Sequence, residues 1–142
     1  MLNSRNIQDL NPKVGALAES LIKACKENGI DIIVTSTYRD NESQQALYNQ
    51  GRTPESKAKK ESIVTNAKPG ESYHNYRVAF DVVPIVNGKA IWSDNKTWAK
   101  IGQLGVDLGL EWAGNWKTFK EYPHFQYTNG LTLKDFQAGK TI

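Results

Sequence analysis

The chain has 142 residues, a formal net charge of +3, 39% hydrophobic residues and one cysteine, which is enough chain to bury a single core and excludes an internal disulfide. No apolar run approaches the about 18 residues of a membrane span, and the N-terminus lacks a signal peptide's basic-then-apolar layout, so a soluble product without stable membrane association is expected. A pI near 8.9 would draw the protein to an anionic polymer, but the Lys and Arg residues are scattered apart from Lys57-Ala58-Lys59-Lys60 and no nucleic-acid-binding signature accompanies them.

In chain order, Ser4 to Leu10 is a short lead able to form a helical turn. Val14, Leu17, Ala18, Leu21, Ile22 and Cys25 then recur at helical spacing, which predicts an amphipathic helix from Asn11 to Asn28. Asn11 and Pro12 stand at its N-cap and first turn, Asn28-Gly29 at its end, and Cys25 falls on the buried stripe as a small core residue. Ile30 to Thr37 reads as a buried strand that delivers Tyr38 and Arg39 to its end. A guanidinium there either caps the strand or binds a carboxylate or carbonyl through its fork of donors. Asn41 to Gln50 reads as a helix with Ala46 and Leu47 buried, stopped by Gly51. Arg52 to Glu71 is the longest polar stretch, anchored only by Ile63 and Val64; loops of that length in a compact domain are uncommon unless they act as lids or are disordered.

Ser72-Tyr73-His74-Asn75-Tyr76-Arg77 leads into Val78-Ala79-Phe80-Asp81-Val82-Val83, a β-branched and aromatic run that reads as a strand. Alternation sets Ala79, Asp81 and Val83 on one face, and a carboxylate at such a position is costly to bury unless something positive meets it. His74 lies at an odd offset from Asp81, so the segment Asn75-Tyr76-Arg77 has to bend for the two to converge. Pro84 to Trp92 reads as a hairpin turning at Asn87-Gly88. Asp94 to Leu108 carries a helical pattern interrupted by Gly102 and Gly105, which implies close packing against the sheet. Leu110 to Trp116 leads back towards the site, where Trp112 and Trp116 are either core aromatics or walls of a groove. Glu121-Tyr122-Pro123-His124-Phe125-Gln126-Tyr127 sets the second of two histidines at the mouth of another short strand, and Thr128 to Ile142 reads as a short edge.

A catalytic zinc takes three protein ligands from His, Asp or Glu and keeps a fourth position for water. His74, Asp81 and His124 would supply that set and leave Glu121 as a free base; the same residues also read as two ordinary histidines and a surface aspartate.

Ser72-x-His74-x-x-x-x-Ala79-x-Asp81 followed by Glu121-x-Pro123-His124-Phe125 resembles the zinc motif pair of the D-Ala-D-Ala carboxypeptidase-like metallopeptidases. Within them it is most similar to the L-alanyl-D-glutamate peptidases found as phage endolysins. The likeness extends through Thr35 to Arg39, Gln44, Gly51-Arg52-Thr53, Ile63 to Lys68 and Gly114-x-Trp116-Lys117-x-Phe119-Lys120, which is nearly the whole chain. Two positions depart from the family: Arg77 stands where Gly is usual, and Glu121 where the acid is often Asp.

The resemblance implies an α+β fold of the hedgehog/D,D-peptidase kind: a small, mainly antiparallel sheet with flanking helices and a zinc site on its concave face. It implies Zn2+ held by His74, Asp81 and His124, with Glu121 as catalytic base and Arg39 stabilising an oxyanion or a substrate carboxylate. Gln44 and Ser72 join Arg39 as substrate-binding residues, with Trp112 and Trp116 as groove walls. The implied substrate is the peptidoglycan stem peptide, cut between L-alanine and D-glutamate by a monomeric catalytic module without a wall-binding domain. Such a lysin would stay in the host cytoplasm until lysis and then act on the cell wall. The alternatives are a D,D-carboxypeptidase or dipeptidase using the same zinc site, and a zinc-dependent wall-binding protein without turnover.

Overall fold

In the computed structural model, which describes residues 1–118 and 120–142, helix α1 spans Pro12–Glu27. Phe119 of the quoted motif lies outside the described residues. Asn11 caps α1 by accepting from the Lys13 amide, and Gly29 takes the left-handed conformation just beyond its end. Its stripe of Val14, Ala18, Leu21 and Cys25 is fully buried; a Val or Leu side chain buried in this way contributes roughly 1.5–3 kcal/mol. Burial pushes the Cys25 thiol up to about 11, in keeping with an inert core residue. Upstream, Ile7–Asp9 forms a single 3-10 turn.

Strand β1 (Asp31–Ser36) pairs on one side only, as an edge strand, and is not buried on both faces: Ile32 points to the core while Ile33, on the opposite face, is 46% exposed. Helix α2 (Asn41–Asn49) buries Ser43 and Gln44 and leaves Ala46 exposed, so the expected apolar face is replaced by a polar one turned to the interior. Within the predicted loop a short helix α3 (Pro54–Ala58) forms, capped by the Thr53 hydroxyl with Pro54 in its first turn. Ile63 and Val64 do not anchor the loop, being more than half exposed. Its anchors are polar: Arg52 donates to the Tyr48 and Thr65 carbonyls and to Asn66 Oδ1, and the Gln44 amide donates to the Ala67 carbonyl at 2.8 Å.

Strand β2 (Ala79–Val86) is the centre of the sheet. β1 pairs with one of its edges, from Asp31↔Ile85 to Ser36↔Asp81. The other edge takes β3 (Lys89–Ala90) and β5 (His124–Gln126), and β5 in turn pairs with β4 (Glu111–Trp112); every pairing is antiparallel. Asn87 and Gly88 both have positive φ, as the predicted two-residue hairpin turn requires. Helix α4 (Asn95–Asp107) is capped by Asp94, and a Cβ at its Gly102 or Gly105 would overlap the rings of Trp112 and Phe125. The glycines therefore let α4 lie directly on β4 and β5. The C-terminal segment is not an edge strand: it forms helix α5 (Leu133–Gln137), whose buried Phe136 meets the rings of Tyr73 and Tyr76.

The architecture is α+β, with a five-stranded antiparallel sheet backed by α1 and α4. The site residues come together because β2 and β5 pair in a register that sets Asp81 opposite His124. Directly opposed residues of an antiparallel pair have Cβ atoms about 4.5–5.5 Å apart on one face.

Candidate metal centre

His74 reaches Asp81 through the bend that the odd offset demands. Tyr73–Tyr76 forms a 3-10 turn closed by a Ser72–Asn75 capping box, and Arg77 follows in the left-handed conformation at φ 65°. That conformation is easiest for Gly. Here Arg77 holds it with its side chain, donating to the Asp9 carbonyl at 2.7 Å and lying 3.8 Å over the Tyr38 ring.

The result is three convergent ligand atoms. His74 Nε2 and His124 Nδ1 each lie 3.2 Å from Asp81 Oδ1, and the set fits within 4.8 Å. Both rings are buried, and the Asp81 side chain is 25% exposed. The second nitrogen of each ring is already engaged: His74 Nδ1 is 2.8 Å from the Thr37 carbonyl, and His124 Nε2 is 2.8 Å from Gln126 Oε1. Partners of this kind fix the tautomer and orientation of metal-binding imidazoles. Protonated on those outer nitrogens, the rings turn two lone pairs towards one carboxylate oxygen, an arrangement that a cation relieves. The donor set fits a small divalent ion accepting N and O ligands.

Burial alone would push the Asp81 carboxyl up, but in the metal-free site the charge and donated bonds of the two imidazoles, once protonated on the nitrogens that face it, hold it well below the usual carboxylate range. For His124, burial works downwards and is outweighed by the bond and charge of Asp81, so its pKa lies above the ordinary histidine value.

Around these atoms runs a groove of about 1000 Å³ whose lining includes Arg39, Ser72, Trp116 and Glu121. Glu121 is 58% exposed, with Oε2 3.8 Å from His124 Nδ1, close enough to serve a bound water and outside the three-ligand set. Arg39 donates to Gln44 Oε1 at 3.0 Å and to Ser36 Oγ at 3.3 Å, while its buried Nε has no partner among the described residues. Burial draws its pKa down, opposed by the Asp81 and Glu121 carboxylates. The Trp116 ring lies 5.5 Å from that of His124.

Two predicted groove residues stand elsewhere. Gln44 is completely buried behind Arg39, where it bridges Arg39 to the Ala67 carbonyl and positions both. Trp112 packs against Gly102, Gly114 and Phe125, with its indole N–H bonded to the Tyr122 carbonyl, so it is a structural aromatic outside the groove. Val64, Asn66, Tyr73 and Lys120 also line the groove; the sequence placed them in the loop and in the motifs but assigned them no role at the site. Thr37 and Gln126, the partners of the two imidazoles, were also missed. Gln126 had a legible signal, since it follows His124 by two positions in a strand and so shares its face; Thr37 acts through its backbone and had none.

A family profile described as VanY, D-alanyl-D-alanine carboxypeptidase, matches residues 7–130. The chain is 39% identical over 127 residues to the peptidoglycan L-alanyl-D-glutamate endopeptidase CwlK of Bacillus subtilis (strain 168), a match covering 83% of this chain and 73% of the relative. It is 28% identical over 125 residues to the L-alanyl-D-glutamate peptidase of Listeria phage A118, covering 86% of this chain but only 39% of that protein. Among solved structures, the L-Ala D-Glu endopeptidase ChiX of Serratia marcescens superposes with a TM-score of 0.62 at 23% identity, covering 95% of this chain and 92% of the other. A mutant of the vancomycin-resistance D,D-pentapeptidase VanY in complex with Zn(II) does so with a TM-score of 0.64 at 20% identity, covering 90% and 83%. At these identities the two structures support the fold.

Proposed function

Since the chain belongs to the VanY family of D-alanyl-D-alanine carboxypeptidases, we propose that it is a zinc-dependent peptidoglycan hydrolase that cuts stem peptides between L-alanine and D-glutamate. The observation that carries this reading is the convergence of His74 Nε2, His124 Nδ1 and Asp81 Oδ1 on one point of an open groove, with a second, exposed acid, Glu121, beside it.

His74, Asp81 and His124 would hold the zinc ion, which would supply polarisation of the scissile carbonyl and acidification of the attacking water. Glu121 takes the proton of the attacking water and returns it to the leaving amine, a role that asks for a solvent-reachable carboxylate near the ligands and outside them. Arg39, braced by Ser36 and Gln44, presents its guanidinium to the developing oxyanion or to a substrate carboxylate. Trp116 and the segment from Val64 to Ala67 line the groove that would take the peptide. Ser72 stands on the lining as well, its hydroxyl accepting from the His74 amide.

The choice of bond rests on the two curated relatives, both named as L-alanyl-D-glutamate peptidases. The phage relative supports a lysin kept in the host cytoplasm until lysis. A D,D-carboxypeptidase would use the same ion and base, and the family's own description favours it as the second reading. Mass spectrometry of digested, purified peptidoglycan separates them. New N-terminal glutamate on the stem peptides, with L-alanine left on the muramyl sugar, is expected; released D-alanine or D-alanyl-D-alanine would establish the second reading. A wall-binding protein without turnover would yield no new termini at all.

A further inference from the structure

The partner of His124 is itself held by a chain of hydrogen bonds that runs out to the surface of β4. Gln126, 3% exposed, accepts at Oε1 from His124 Nε2 (2.8 Å) and donates from its own amide to Glu111 Oε1 (3.2 Å). Glu111 and Gln126 are direct partners across the β4–β5 ladder. The other oxygen of Glu111 accepts twice from Thr128, from its backbone N–H at 3.0 Å and from its hydroxyl at 2.7 Å.

The direction of this chain follows from what each group is able to do. A carboxylate only accepts, so Gln126 must turn its NH2 to Glu111. Its carbonyl then faces His124, and Nε2 has to carry the ring proton. Nδ1, the nitrogen 3.2 Å from Asp81, is thereby left with a free lone pair. We propose that Glu111 is a positioning residue which, through Gln126, sets the tautomer in which His124 binds metal. This rests on the zinc reading above and adds residues that touch neither ion nor substrate.

The decisive variant is the isosteric Glu111→Gln. The Thr128 backbone N–H claims the carbonyl of the new amide, whose NH2 then faces Gln126 and turns that amide over. His124 Nε2 now meets a donor and gives up its proton, and the ring binds metal poorly. A merely structural Glu111 would tolerate the exchange. The double exchange Glu111→Gln with Gln126→Glu reverses the bond between positions 111 and 126 but again sets an acceptor against His124 Nε2, with every group paired and net charge unchanged, and should rescue.

Two readouts test this. Competition with a chromogenic chelator should show zinc affinity lowered about ten- to a hundredfold in Glu111→Gln, the range typical of lost outer partners, and restored to near the wild-type value in the double exchange. In chelated protein, long-range 1H–15N correlation of the imidazoles should show a proton on His124 Nε2 in wild type and in the double exchange, and none in Glu111→Gln. The relay is overturned if Glu111→Gln keeps that proton, if its zinc affinity stays within about twofold of wild type, or if the double exchange is no better than the single. The nitrogen readout needs no ion, so a wild type that took up no zinc would remove the proposed function while the relay was still judged. Loss of folding in Glu111→Gln that the double exchange failed to repair would also count against it.

Discussion

Asp81 and Glu121 both stand within 4 Å of a His124 ring nitrogen, and their surroundings give them different work. Asp81 lies between two imidazoles and is held ionised, which suits a metal ligand. Glu121 projects into the open groove, which suits proton transfer. Glu121→Ala and Glu121→Gln are therefore expected to lower turnover by about a hundred- to ten-thousand-fold while zinc content stays at the wild-type level. Metal analysis beside a peptidoglycan digestion assay checks both halves; more than about a tenth of wild-type activity would assign the base elsewhere. Arg39 is braced at two donors, so its fork is fixed before substrate arrives. A charge-assisted bond of that kind is worth roughly 1.5–3 kcal/mol. Arg39→Ala should lose at least tenfold in kcat/KM, and Arg39→Lys should recover little because the fork geometry is gone.

Among the elements that carry no site residue, α4 bears on the site because Gly105 lets the helix rest on the ring of Phe125, the residue after His124. Ala would gain about 1 kcal/mol of helix propensity over Gly, but its methyl would have to displace a fully buried ring, and overpacking of that kind costs about 1–3 kcal/mol. Gly105→Ala is thus predicted to be destabilising on balance and to weaken zinc binding by shifting β5. Urea unfolding and zinc competition measure the two effects; a stabilised variant with wild-type affinity would show that α4 has slack. The conflict was half legible in the sequence, where two glycines interrupt a helical pattern. Which rings they admit was not, because Trp112 and Phe125 reach α4 from strands that follow it in the chain.

For the whole molecule, an ion held by His74, Asp81 and His124 would couple β2, β5 and the 3-10 turn of His74, so its binding would add to folding stability as RT ln(1 + [Zn]/Kd). A chelator should lower Tm and abolish wall digestion together. The pH dependence of the chelated protein has a definite sign. The raised pKa of His124 contributes stability that is complete below the unfolded value of about 6.5 and lost as pH rises through the folded one. The depressed Asp81 contributes above its unfolded value and loses that only in acid. Chelated protein should therefore lose Tm on going from pH 6 to 8, while the increment from zinc grows, since the ligands must be deprotonated to bind. Thermal scans with and without zinc at several pH values check this; an increment that shrinks with pH would contradict the ligand set. The sequence by itself determined α1, α4, the Asn87-Gly88 hairpin and the bend between His74 and Asp81, because period, caps and turn chemistry are local properties. It missed α3 and α5, each only five residues long, since one turn of helix gives no period to read. Only the tertiary structure decided that Asp81 faces His124, that Gln44 and Trp112 lie outside the groove that Trp116 lines, and that Glu111 reaches His124 through Gln126. Gln44 is held by Arg39 and the Ala67 carbonyl, 23 residues on; the rest depend on β5 entering between β2 and β4, and strand order and register are set by packing between segments far apart in the chain.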